Sequence, residues 1–115
     1  MSTDCIFCKI ASKAIPTQII YEDEYVLAFP DISPVAPVHI LLIPKKHIEA
    51  LTQTTPADRD IMGHFMSVIP QVAKVAGIDN DGFRAVINNG KNGGQTVGHL
   101  HCHIMGGRYM QWPPG

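Results

Sequence analysis

The sequence predicts an α+β domain, an antiparallel sheet with helices on one side of it. Three observations predict this. The order of segments is a helix, three strands, a long helix and two strands. Short sequential connections favour antiparallel pairing. The chain has 115 residues, the size of one core, so residues 1–115 form a single domain.

Residues 4–13 read as a short helix, with Asp4 as its N-cap and Ile6, Phe7 and Ile10 on one face. Ile15-Pro16 ends it. Residues 19–21 and 25–30 read as strands joined at the acidic turn Glu22-Asp23-Glu24. Pro34 and Pro37 keep residues 31–37 out of any ladder. His39-Ile40-Leu41-Leu42-Ile43 is a near-continuous apolar run, the pattern of a central strand buried on both faces. Thr55, Pro56 and Asp58 form a capping box with proline at the first helical position. The helix they open runs to Ala76, with Gly77 as its stop. Its buried stripe is Ile61, Phe65, Val68, Ile69, Val72 and Ala76. Pro70 falls inside and predicts a kink or two helical pieces. Residues 83–88 alternate as a strand, with Phe83, Ala85 and Ile87 inward. The tail carries Trp112, the only tryptophan, which is expected to pack on something.

Composition removes several function classes. Nine basic residues face ten acidic ones, for a net charge of −1. No global field attracts nucleic acid or an anionic membrane. No apolar run approaches membrane-spanning length, and residues 1–4 lack the blocks of a secretory signal. A cytoplasmic protein is expected, and three cysteines in that setting do not suggest a disulfide framework.

The chemistry concentrates in His99-Leu100-His101-Cys102-His103. On a strand the three imidazoles leave one face, with the outer two roughly 7 Å either side of His101. Leu100, Cys102 and Ile104 leave the other, toward the core. On a helix the same rings spread over about 200° of arc. Residues 89–95 form a glycine-rich loop feeding directly into this row. Backbone N–H groups of Gly94, Gln95 and Thr96 could hold an anion beside His101; a plain hairpin loop is the other reading of the loop alone. A neutral imidazole is a nucleophile near pH 7. Attack on phosphorus forms a phospho-imidazole that water then opens, and no metal is needed.

These residues resemble the histidine triad family, whose pattern is His-φ-His-φ-His-φ-φ. The likeness is to its nucleotide-binding, purine nucleoside phosphoramidase branch. It extends over Ile6-Phe7, residues 28–34, residues 43–47, Gly93-Gly94-Gln95-Thr96, Gly106-Gly107-Arg108 and the ending Trp112-Pro113-Pro114-Gly115. The resemblance implies a five-stranded antiparallel sheet with one long and one short helix, and a two-fold dimer with joined sheets. It also implies hydrolysis of purine nucleoside 5′-phosphoramidates, such as AMP-lysine, through a nucleotidyl-histidine on His101. His103 would bind phosphate, Thr96 would aid proton transfer, and His39 would orient the triad. Asn88 and residues 94–96 would hold the α-phosphate. Asp31 would accept the ribose hydroxyls, while Ile6, Phe7, Ile10, Phe29 and Ile32 would enclose the purine. The Trp112 tail would lie near the partner's site. Three positions depart from the pattern. Pro30 stands where close relatives often carry histidine, Gly98 replaces a bulkier residue, and Thr96 replaces serine but keeps the hydroxyl.

Cys5-Ile6-Phe7-Cys8 has the spacing of half a zinc site, and equally suits two small buried thiols. The resemblance adds His47 and His99, completing a closed set for a structural zinc. No cofactor is implied for the chemistry itself. Three other readings compete. One is a metal hydrolase with His99, His101 and His103 around an open zinc. Another is a purine nucleotide-binding module without turnover. The third is a dinucleoside polyphosphate hydrolase of the same superfamily.

Overall fold

Two strands at the centre of the sheet are apolar on both faces, and the architecture follows from covering both. The computed structural model describes residues 5–115. The strands are β1 (Tyr21–Glu22), β2 (Val26–Pro30), β3 (Val38–Pro44), β4 (Phe83–Val86) and β5 (Cys102–Gly106). They form one sheet in the order β1-β2-β3-β5-β4, antiparallel at every pairing. The helices are α1 (Ile6–Ala11) and α2 (Arg59–Val75).

The helices lie on opposite faces, not on one side as the segment order suggests. Val26, Ala28, Ile40, Leu42, Cys102 and Ile104 pack with Phe65, Val68, Ile69 and Val72 of α2. The alternate residues Leu27, Phe29, Leu41 and Ile43 pack with Phe7 and Ile10 of α1. The continuous apolar run of β3 already requires this, because period-2 alternation sends half of it each way.

α1 is shorter than expected. Its cap is Cys5, whose sulfur accepts the Cys8 N–H at 3.3 Å; the expected cap, Asp4, lies outside the described residues. The chain leaves the helix at Ser12, and Lys13 takes φ +68°, so the helix stops before Ile15-Pro16. Ahead of α2, the turn Pro56–Asp58 carries the full capping box. α2 then runs as one helix through Pro70, not as two pieces. Pro70 is exposed, and so is Met66, whose carbonyl loses its partner; water can satisfy it. Gly77, at φ +75°, ends the helix where a side chain would be strained.

The ladder of β4 stops at Val86, two residues short of Asn88. Ala85 is exposed, because β4 is an edge strand with little above it. β5 begins only at Cys102, so His99 and His101 precede the ladder and only His103 lies on it. Leu100, Cys102 and Ile104 are fully buried, as alternation predicts. Trp112 is 80% exposed in the single chain and does not join the core. Among the described residues, no helix is long and apolar enough to cross a membrane.

Candidate active site

β3 and β5 set His39 and His103 on the α1 face of the sheet, since His39 pairs with Met105 and Leu41 with His103. The Val35 N–H donates to His39 Nδ1 at 3.1 Å. That nitrogen is therefore the acceptor, and the proton sits on Nε2. Nε2 in turn donates to His103 Nδ1 at 2.9 Å, which leaves the His103 proton on its own Nε2. Asp31 Oδ2 stands 3.4 Å from His39 Nε2, and Asp31 Oδ1 accepts the Ser33 N–H at 2.8 Å.

His101 is fixed independently. Its Nδ1–H donates to the His99 carbonyl at 2.7 Å, so its Nε2 carries a free lone pair. The ring is only 4% exposed. It stands edge-on to Phe7, with centroids 5.2 Å apart, and 5.1 Å from the ring of His103. Burial holds the His103 pKa below 6.5, with the charges of His101 and His39 adding and Asp31 opposing. A depressed value keeps His103 neutral and able to accept from His39.

A cavity of 260 Å³ opens beside these rings. Ile6, Phe7, Ile10, Phe29, Asp31, Ile32, Thr96, His101 and His103 all line it, so the structure gathers most of the expected contacts at one place. Pro30, Leu41 and Val97 line it as well. Leu41 was legible, being two residues along the strand from His39; Val97 and the Val35 N–H had no signal in the sequence.

The glycine loop differs from its expected part. The Gly94 N–H donates to the Lys91 carbonyl and the Gln95 N–H to the Gly90 carbonyl. Neither is a free anion donor, because closing the loop uses both. The Gln95 side chain accepts the Gly90 N–H and donates to the carbonyls of Glu49 and Val97. It braces the loop. Asn88 donates to the Gly93 carbonyl at 2.7 Å and lines a second depression across His103. Thr96 alone of the three expected donors reaches the cavity.

His99 turns away from the other two rings. Its Nε2–H donates to the Pro44 carbonyl at 2.8 Å. Its Nδ1 lies 3.3 Å from Cys5 Sγ, 3.6 Å from Cys8 Sγ and 3.2 Å from His47 Nδ1; Cys8 Sγ is 3.2 Å from that same His47 nitrogen. Donors on a tetrahedral zinc stand roughly 3.3–3.8 Å apart, and these four converge with nearly that spacing. Burial pushes the Cys8 thiol up to about 11, with Cys5 adding to it. A bound cation is what brings such a thiol to thiolate. The chemistry of the set fits zinc, and the four donors leave no open position. Asp31, His39 and His103 also come within metal-binding distance of one another. The three triad rings do not: each turns a nitrogen to a different partner, which removes the open His₃ metal site.

The HIT domain family matches residues 12–110. An uncharacterized HIT-like protein of Synechocystis is 53% identical over 115 residues, covering all of both chains. Protein HitA of Neisseria gonorrhoeae is 52% identical over 103 residues, which is 90% of this chain and 95% of that one. Among solved structures, a HIT family hydrolase from Legionella pneumophila superposes with TM-score 0.94 at 43% identity, covering 97% of this chain and 100% of that chain. A histidine triad protein from Clostridium difficile gives 0.92 at 49% identity, with 96% of each chain covered. The family match, the identities and the shared fold converge, and the chain belongs to the HIT domain family.

Proposed function

We propose that this protein hydrolyses purine nucleoside 5′-phosphoramidates to a nucleoside monophosphate and an amine. What carries the reading is the tautomer of His101. The His99 carbonyl holds its Nδ1–H, which leaves Nε2 as a nucleophile beside an apolar cavity sized for a base. Nε2 attacks the α-phosphorus, the P–N bond breaks, and the departing nitrogen takes the Thr96 hydroxyl proton. Water then attacks phosphorus and returns a proton to Thr96 as the P–Nε2 bond breaks, releasing the monophosphate and restoring His101. His103, held by His39, donates its Nε2–H to a phosphate oxygen. The Thr96 N–H, which has no protein partner among the described residues, adds a second donor. Gly94 and Gln95 serve by holding the loop, and Asn88 by fixing Gly93. Asp31 takes the ribose hydroxyls; Ile6, Phe7, Ile10, Phe29 and Ile32 enclose the purine.

In the same reading Cys5, Cys8, His47 and His99 hold a structural zinc, and no cofactor enters the chemistry. The protein works as a homodimer in the cytoplasm, a setting that suits three cysteines without a disulfide, and needs neither nucleic acid nor membrane. Rapid quenching with a phosphorus-labelled adenosine phosphoramidate tests the mechanism. Wild type accumulates a labelled, acid-labile protein adduct and His101→Ala none. An adduct that persists in His101→Ala overturns the assignment. Release of amine without any adduct in wild type overturns the two-step course.

A further inference from the structure

The apolar cavity and the metal-ligand cluster share one short helix. Cys5 caps α1 and Cys8 lies in its first turn; both bring sulfur to the cluster with His47 and His99. Ile6 and Phe7 stand between them in sequence and line the apolar cavity, as does Ile10. Phe7 is also the bridge in space. Its ring stands edge-on to His99, with centroids 5.9 Å apart, to His101 at 5.2 Å and to Phe29 at 5.6 Å. α1 packs over β2 and β3, and β5 lies between these strands and the edge strand β4.

Little else holds α1. It has six residues, too few to be stable as an isolated helix. Phe7 and Ile10 are its buried anchors, while Ile6 is half exposed. Among the described residues, the hydrogen bonds from its cap and side chains to the rest of the fold run through Cys5 and Cys8, and they reach only His47 and His99. Cys5 and His47 also line an open depression of 500 Å³, which gives an ion a path to the cluster from solvent.

We propose that the four metal ligands are positioning residues for the base. With zinc bound they fix α1 on the sheet, so that a purine nucleotide and zinc each tighten the binding of the other. This rests on the zinc and purine readings above and is independent of the hydrolytic step. Without the ion α1 frays, and a base must order Ile6, Phe7 and Ile10 as it binds. With the ion that conformational entropy is already lost, and the base binds more tightly. Such coupling is reciprocal, so one factor governs both affinities.

Calorimetric titration of AMP into zinc-loaded and metal-free protein tests this. The metal-free protein is expected to bind AMP about fivefold or more weakly. In zinc buffers, saturating AMP raises the zinc affinity by the same factor. His47 does not line the apolar cavity. His47→Gln, at free zinc that fills only the wild-type site, is nonetheless expected to bind AMP as weakly as the metal-free protein does. Amide hydrogen exchange separates a local effect from a global one. The Lys9 and Ser12 amides, which donate to the Cys5 and Cys8 carbonyls, lose protection without zinc. Amides of α2, on the other face of the sheet, keep theirs. Equal AMP affinity with and without zinc overturns the linkage and leaves both sites standing. Loss of α2 protection together with that of α1 overturns it too, since the metal then holds the whole domain. A chain that takes up no zinc sinks the metal reading, and one that takes up zinc but no AMP sinks the purine reading; either result removes the linkage.

Discussion

His99 and His103 are the same residue type, four positions apart on one strand direction, yet they do opposite things. His99 is fully buried and points its Nδ1 at Cys5, Cys8 and His47. His103 is half-buried and receives a proton-bearing nitrogen from His39. The difference comes from the second nitrogen of each ring and what the backbone offers it. The Pro44 carbonyl takes the Nε2–H of His99, which commits Nδ1 to a cation or a thiol. The Val35 N–H, acting through His39, makes His103 Nδ1 an acceptor and puts the proton of that ring on its Nε2. His101 sits between and is oriented by the backbone of His99. In the proposed reading one end of the row therefore supports the fold and the other faces the chemistry.

Two variants break this comparison if it is wrong, and they carry the largest effects. His101→Ala is expected to lower kcat by about 10⁴-fold, the scale of losing a nucleophile, while the protein still melts cooperatively and still binds AMP. Cys8→Ser, or chelation of zinc-loaded protein, is expected to lower Tm by about 10 °C or more, the consequence of losing several kcal/mol of ligand-linked stability. At a temperature where Cys8→Ser is folded, its kcat stays within about tenfold of wild type. A kcat loss as large as that of His101→Ala would show that the metal end takes part in the chemistry. Melting curves and phosphoramidate turnover on the same samples decide it.

The link from His39 to His103 is the next test. His39 does not line the apolar cavity; in the proposed reading it works through His103, whose tautomer it fixes. His39→Ala is expected to cost about 10–100-fold in kcat/KM, as removing an imidazole's orienting partner does. The loss falls mainly on kcat, because the apolar cavity is untouched. His39→Gln, whose amide can still donate to His103 Nδ1, recovers part of it. Equal losses in the two variants would mean that His39 serves packing alone.

Much of this was legible in the residues, and the failures share a cause. Period-2 alternation gave the strands and sent Leu100, Cys102 and Ile104 to the core. The capping box at Thr55-Pro56-Asp58 gave the start of the long helix. The helices landed on opposite faces because the apolar run at residues 39–43 is two-sided, a fact present in the sequence but outvoted by segment order. Gly94 and Gln95 lost their expected part because glycine content reports where a loop turns, not which donors its own closure consumes. Cys5 caps α1 although sulfur is a poor capping acceptor; the cluster it shares with His99 holds it there. The Val35 N–H and the Pro44 carbonyl decide two histidine tautomers, and no side-chain pattern announces a backbone group.

The smallest expected effect is in pH, and it isolates the catalytic end. Burial lowers the His103 pKa below its ordinary 6.5, so protonation opposes both the His39 bond and the folded state. A depressed folded value means that the unfolded chain binds protons first as pH falls. This contribution to stability is complete above about 6.5 and is lost as pH drops through the lower folded value. kcat/KM is expected to be flat from pH 8 to 6.5 and to decline below that, less than about tenfold per pH unit. His103→Gln, which cannot titrate, flattens the part of the decline that belongs to this ring. The carboxylate that anchors the β1–β2 turn does not fail in the same window. Burial works to raise the Asp23 pKa, but hydrogen bonds from the Tyr25 N–H, His64, Tyr21 and the Val26 N–H hold it at about 2. Its contribution is therefore present above 3.8 and fails only as pH falls through about 2. A decline that persists unchanged in His103→Gln would move the titrating group elsewhere in the row and remove the tautomer argument at this end.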